Sequence, residues 1–138
     1  MTLLIDTNIM IDAITNRNPD SRHSTEVINL CSSGMLTGCV APHSFSNMYY
    51  ILRKDYSDEE RRIIIRKYCA ILKVVDINDS VMTHALDNND ITDFEDAIQY
   101  ACADSVHADY IVTRNVKDYG NSVIKAVTPE DLLELLNH

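Results

Sequence analysis

The chain has 138 residues, 46% of them hydrophobic, with a formal charge of −9 and a pI near 4.8. That length and apolar content are enough for one folded domain over residues 1–138 and exclude disorder. The acidic balance excludes tight nonspecific attachment to nucleic acid, but not an enzyme that acts on nucleic acid through acid-bound cations.

No apolar run is long enough to span a bilayer, and the N-terminus lacks the basic region and long apolar stretch of a signal peptide, so a cytoplasmic protein is expected. The four cysteines, Cys31, Cys39, Cys69 and Cys102, form no Cys-x-x-Cys pair and read as reduced core thiols.

In chain order, Leu3–Ile5 reads as a buried strand that runs straight into Asp6, Thr7 and Asn8, and residues 8–15 as a short helix. Ser21 or Ser24 opens a second helix, stopped by Gly34. Thr37–Val40 is a strand, followed after Pro42 by a helix with Phe45, Met48, Tyr49 and Leu52 on one stripe. Ser57 through Glu60 is a capping box that opens a helix through Leu72.

Lys73–Asp76 is a third strand, and Asp79 or Ser80 caps the next helix. Thr92 through Glu95 is a second capping box, with Thr92 as the cap. Its helix buries Ala97, Ile98, Ala101 and Cys102. Asp109–Thr113 is a fourth strand and Val123–Val127 a short fifth. Thr128-Pro129-Glu130 opens the last helix with a capping hydroxyl and an N1 proline. Short strands alternating with helices predict an α/β fold: a central parallel sheet of four to five short strands with helices on both faces.

Ligands in such folds sit beyond the carboxyl ends of the strands. Three polar clusters fall there: Asp6-Thr7-Asn8; Asp93 and Asp96, three apart and on one helix face; and Thr113-Arg114-Asn115 with Asp118. A first-turn acid such as Asp93 often does no more than complement the helix dipole. Asp96 stands directly before the apolar Ala97-Ile98, where an unpartnered charge is costly. Asp12 reads as a cap or solvated surface. Carboxylates that converge need a counter-charge, and hard oxygen ligands suit Mg²⁺ or Mn²⁺. The residues therefore point to a metal-dependent phosphodiesterase or nuclease. Basic residues near these clusters are few, Arg114 being the one placed to meet a phosphate. Tyr49, Tyr50, Tyr68 and Tyr100 read as core or dimer contacts.

Leu3 through Asp12 resembles the opening motif of PIN domains. Asp93-Phe94-Glu95-Asp96-Ala97-Ile98-Gln99 and Ile111 through Tyr119 resemble its two later motifs, in the same order and at matching spacing. The resemblance implies a Rossmann-like sheet with an acidic pocket and Mg²⁺- or Mn²⁺-dependent cleavage of RNA. It implies a toxin held inactive by an antitoxin protein inserted in the pocket, and a homodimer formed through the exposed apolar faces of the middle helices.

Carried over by position, Asp6 and Asp96 are the metal ligands, Asp93 is an additional carboxylate and Asp118 a candidate fourth acid. Thr7, Asn8, Thr113, Arg114 and Asn115 would line the pocket. The family usually has a Glu or Asp where this chain has Asn47, and often an acid at the position of Asn115. These amides keep open a second reading, a PIN-like RNA- or protein-binding module of little catalytic power. A phospho-acceptor receiver domain ranks last, because Asp6-Thr7 is not the adjacent acid pair that it needs after the first strand.

Overall fold

The computed structural model describes residues 1–19, 21–120 and 122–137. Five parallel strands, β1 (Thr2–Ile5), β2 (Thr37–Val40), β3 (Lys73–Val74), β4 (Tyr110–Val112) and β5 (Lys125–Val127), form one sheet in the order β3-β2-β1-β4-β5. The chain lays down β1, β2 and β3 toward one edge, then returns to the other side of β1 for β4 and β5. The direction of winding thus reverses between β1 and β4, and a crevice opens there at the carboxyl ends of the strands.

Among the described residues, seven α-helices cover the sheet: α1 (Thr7–Thr15), α2 (Ser21–Ser32), α3 (Pro42–Ile51), α4 (Asp58–Ile71), α5 (Asp79–Asp87), α6 (Phe94–Ser105) and α7 (Pro129–Leu136). Side chains alternate across each strand, and the core splits accordingly. Leu3, Ile5, Val40 and Val112 pack under α1, α2, α3, α4 and α7, with Ile9, Val27, Met48, Tyr68 and Leu132 buried among them. Leu4, Cys39 and Ile111 face the other way, against α5 and the small-residue face of α6 (Ala97, Ala101, Cys102). The Tyr68 hydroxyl donates to the Met10 carbonyl at 2.8 Å, tying α4 to α1.

The expected α/β architecture with helices on both faces is present. Thr37–Val40 coincides with the predicted strand, and the Ser57 capping box forms both of its reciprocal bonds. Two helix starts differ in detail. Asn78, not Asp79 or Ser80, caps α5 through its side chain. Asp93, not Thr92, caps α6: its carboxylate accepts from the Asp96 amide at 3.0 Å, a task that a carboxylate performs as well as a hydroxyl. Asp96 is therefore the third helical residue. The third strand is shorter than predicted, ending at Val74. Cys31, Cys39 and Cys102 are buried free thiols, whereas Cys69 is exposed on the outer face of α4.

One glycine marks a tight contact. A Cβ at Gly38 would lie 2.6 Å from Leu72 Cδ2 and 2.8 Å from Cys31 Sγ, and both neighbours are buried and packed. Gly38→Ala is expected to overpack this layer and cost about 1–3 kcal/mol. Urea denaturation checks this; an unchanged midpoint would mean that the layer has slack.

Candidate active site

The site is built on the β1/β4 crevice. The Asp6 amide donates to the Val112 carbonyl at 3.0 Å, so the backbone pairing of β1 with β4 extends up to the carboxylate itself. Asp6 also serves as the N-cap of α1: its Oδ1 accepts from the Thr7 amide at 2.7 Å. Its Oδ2 accepts from the Thr113 hydroxyl at 2.8 Å and, at a longer 3.4 Å, from Tyr119. Gln99 Nε2 reaches Oδ1 at 3.4 Å and donates to Ser44 Oγ at 2.8 Å.

The Thr113 hydroxyl accepts in turn from the Asn115 amide at 3.0 Å, and Asn8 Oδ1 accepts from the Arg114 amide at 3.2 Å. Asp6 is thus clamped from α1, α6 and the turn after β4. It is 9% exposed. Burial raises its pKa above the usual carboxylate value, against the lowering effect of the hydrogen bonds from Thr113, Thr7 and Tyr119 and of nearby His43.

Asp96 faces the same space from the first turn of α6. Burial, followed by the charges of Asp93, Asp6, Asp118 and Glu95, pushes its pKa up to about 7. A cavity of about 690 Å³ lies between these acids and is lined by Asp6, Thr7, Asn8, Asp12, His43, Asn47, Tyr50, Glu95, Asp96, Gln99, Arg114 and Asn115, among others. Burial lowers the pKa of His43, so its imidazole adds little positive charge near neutrality.

The two arginines on the wall are already engaged. Arg114 Nε pairs with Asp12 Oδ2 at 2.9 Å, and Arg17 pairs with Asp55. Asp93 and Asp118 line a neighbouring cavity of about 400 Å³ together with Lys117, and Asp96 borders both. Among the described residues no three His, Cys, Asp or Glu side chains meet as a ready-made metal cage.

The sequence model of the PIN domain matches residues 2–117, most of the chain. The chain belongs to the PIN domain family. Its fold is shared with a chain of a toxin-antitoxin complex from Klebsiella pneumoniae (TM-score 0.70, 20% identity, covering 92% of this chain and 97% of that one). A chain of VapBC2 from Rickettsia felis, solved bound to promoter DNA, is as similar (TM-score 0.70, 16% identity, 93% and 98%). The Mycobacterium tuberculosis toxin VapC20, described as cleaving the sarcin-ricin loop, also shares the fold (TM-score 0.62, 12% identity, 79% and 86%). No curated protein matches at a significant level.

Of the residues singled out in the sequence, this PIN domain gathers Asp6, Thr7, Asn8, Asn47, Asp96, Arg114 and Asn115 around one cavity and sets Asp93 and Asp118 around the next. Thr113 is fully buried beneath, where it holds Asp6.

One reading is corrected and another narrowed. Asp12 is not solvated surface: it is 3% exposed and paired with Arg114. Tyr50, expected as a core or dimer contact, is not core: it is 62% exposed at the cavity rim, with the Arg53 guanidinium 3.7 Å above its ring, which leaves the dimer contact. His43, Glu95, Gln99 and Tyr119 were not foreseen. Gln99 had a signal, since it stands three residues after Asp96 and so shares its helix face. Asp12 stands four after Asn8 in the same way. His43 and Tyr119 had none.

An acid whose folded-state pKa exceeds its unfolded value stabilises the fold below the unfolded value and loses that contribution as pH rises through the folded one. For Asp96 this window runs from 3.8 to about 7. In the presence of EDTA, Asp96→Asn is expected to melt at a higher temperature than wild type at pH 8, with the gap narrowing toward pH 5. A gap of equal size at both values would contradict the shift.

Proposed function

We propose that this PIN domain is a Mg²⁺- or Mn²⁺-dependent endoribonuclease that hydrolyses RNA phosphodiester bonds, and that it is the toxin of a toxin-antitoxin pair. One observation carries the reading. Asp6 and Asp96 face one cavity whose two arginines are paired with other acids, so neither arginine neutralises the acid pair. Family membership and the shared fold with chains of toxin-antitoxin complexes support it.

The donor set fits a hard cation. Mg²⁺ keeps much of its water and is usually held by one or two carboxylates plus substrate phosphate, not by an all-protein cage. Among the described residues the site offers an acid pair and no group of three, which matches that habit. When bound, such an ion supplies charge neutralisation, an activated water and stabilisation of the leaving oxygen.

The protein's own residues do the rest. Thr7, Thr113 and Tyr119 hold the Asp6 carboxylate in one orientation without moving at the moment of reaction. Asp96 faces Asp6 as the second ligand, with Asp93 fixing the helix start beneath it. Asn8 and Asn115 pin the turn after β4 that carries Arg114 to the cavity wall. Arg114, 46% exposed while paired with Asp12, is the cation best placed to turn toward a substrate phosphate. Asp118, on the neighbouring cavity, adds negative charge to the Asp96 side.

The antitoxin would be a protein that covers the acidic cavity with a basic group. The homodimer would form through apolar side chains exposed on the middle helices, such as Ile51 and Ile63. Among the described residues no helix is long and apolar enough to cross a membrane, and we place the protein in the cytoplasm. A second reading, a binding module without useful catalysis, rests on the amides at Asn47 and Asn115.

Incubation of purified protein with a mixed RNA pool and Mn²⁺ separates the two. Wild type is expected to cleave. Asp6→Asn and Asp96→Asn should each lose several kcal/mol of transition-state stabilisation, about 10³-fold in rate. No cleavage by wild type with either metal would favour the binding module.

A further inference from the structure

We propose that the groove between α3 and α4 holds single-stranded RNA on its way to the acidic cavity, with phosphates seated on Arg62 and Arg66. The ribonuclease reading above supplies the substrate class on which this rests. The groove itself lies outside the site described so far.

Positive charge is unevenly spread along this acidic chain. Residues 53–67 hold six of its twelve Lys and Arg: Arg53, Lys54, Arg61, Arg62, Arg66 and Lys67. Only four of its 21 acids fall there. Three of those are engaged, Asp55 with Arg17, Asp58 with Arg62 and Glu60 in the Ser57 capping box. A basic stretch of this kind gives a polyanion a place to land on a chain whose overall charge repels it.

A cavity of about 590 Å³ opens on that segment, lined by Phe45, Tyr49, Arg62, Ile65 and Arg66, among others. No acid is among the described residues that line it. Arg62 and Arg66 stand four apart and so share one face of α4. Arg62 touches Asp58 through Nε at 3.1 Å, yet its side chain is 72% exposed. Arg66 is exposed and has no hydrogen bond or ion pair among the described residues. Phe45 and Tyr49 add aromatic rings. Arginines for phosphates and aromatic rings for bases are the two elements that hold a single strand without reading its sequence.

The groove is also in the right place. His43 and Asn47 line the acidic cavity, whereas Phe45, Ser46 and Tyr49, on the same helix, line the groove. Helix α3 is therefore the only wall between them, and a helix with its side chains is about 10–12 Å across. The cavity attracts a polyanion weakly, because its two arginines are paired with acids. A strand with one phosphate in the cavity gains its hold by crossing α3 to the free guanidinium groups. A second copy of this chain fits the groove less well. A twofold contact sets a patch against itself, which would bring Arg62 and Arg66 near their own counterparts with no groove acid between them. Ile51 and Ile63, proposed above for the homodimer, do not line it.

Fluorescence anisotropy of a labelled oligouridylate with the full chain in EDTA tests this without cleavage. The double variant Arg62→Gln with Arg66→Gln is expected to bind about tenfold more weakly at about 0.1 M salt, and to flatten the slope of log affinity against log salt by about 1.4, the value for two lost phosphate contacts on a single strand. Lys73→Gln with Lys125→Gln removes the same charge from the exposed ends of the sheet and should leave the slope unchanged. With Mn²⁺ present, the groove variant should raise KM and keep kcat, as a loss of uniform binding does. Circular dichroism melting confirms that each variant folds. Equal slopes in the two double variants, or no binding of oligouridylate by wild type, would overturn the inference. So would a groove variant that changes the sedimentation coefficient but not the RNA affinity, which would assign the groove to a second copy. If wild type cleaves RNA and the groove variant keeps its slope and KM, the groove falls and the ribonuclease reading stands. If wild type binds through the groove but cleaves nothing, the ribonuclease reading falls and the groove stands.

Discussion

The structure turns on the burial of one carboxylate. Asp6 is placed where β1 ends, with its backbone still paired to β4 and its oxygens held by the first amide of α1 and the hydroxyl of Thr113. A charge taken out of water at this depth is costly, and its hydrogen bonds offset only part of the cost: its pKa stays above the usual carboxylate value. Such a residue serves folding poorly. A serine or threonine would cap α1 as well, without bringing a charge to the floor of a cavity. The arrangement makes sense if the charge is used.

What surrounds Asp6 points the same way. Asp96 and Glu95 bring further acid to the cavity on the first turn of α6. The arginines that could neutralise them are spent elsewhere, Arg114 on Asp12 and Arg17 on Asp55. Burial and like charge then raise the pKa of Asp96 to about 7, well above the usual carboxylate range. A site in this condition would exchange protons for the proposed divalent cation, because metal ligands must lose their protons to bind. The switch in winding between β1 and β4 is what makes this geometry available, since it brings the ends of two strands that are distant in sequence to one crevice.

Much of this was legible in the sequence, for physical reasons. Leu3–Ile5 running into Asp6 is the signature of a strand buried on both faces that ends at a site, and the strand and its acid are where they were expected. The alternation of short apolar runs with capped helices was enough for the parallel sheet. Less was legible wherever a contact joins distant segments. The Asn47–Glu95 bond spans 48 residues and the Thr113–Asp6 bond 107, and no local periodicity encodes either. Asp12 was misread because an acid next to apolar residues on a short helix looks the same whether water or an arginine from 102 positions later solvates it. The cap of α6 was displaced by one residue because Thr92 and Asp93 are both good caps, and local sequence does not choose between them.

The central claim is that the Asp6/Asp96 pair is a divalent-cation site whose protons leave when the ion binds. Titrating wild type with Mn²⁺ in two buffers of different ionisation enthalpy measures those protons directly. With the pKa of Asp96 raised to about 7 and that of Asp6 raised as well, binding at pH 7 should release protons, and the release should fall as the pH is raised. Binding without proton release at pH 7, or no binding at all, would contradict it.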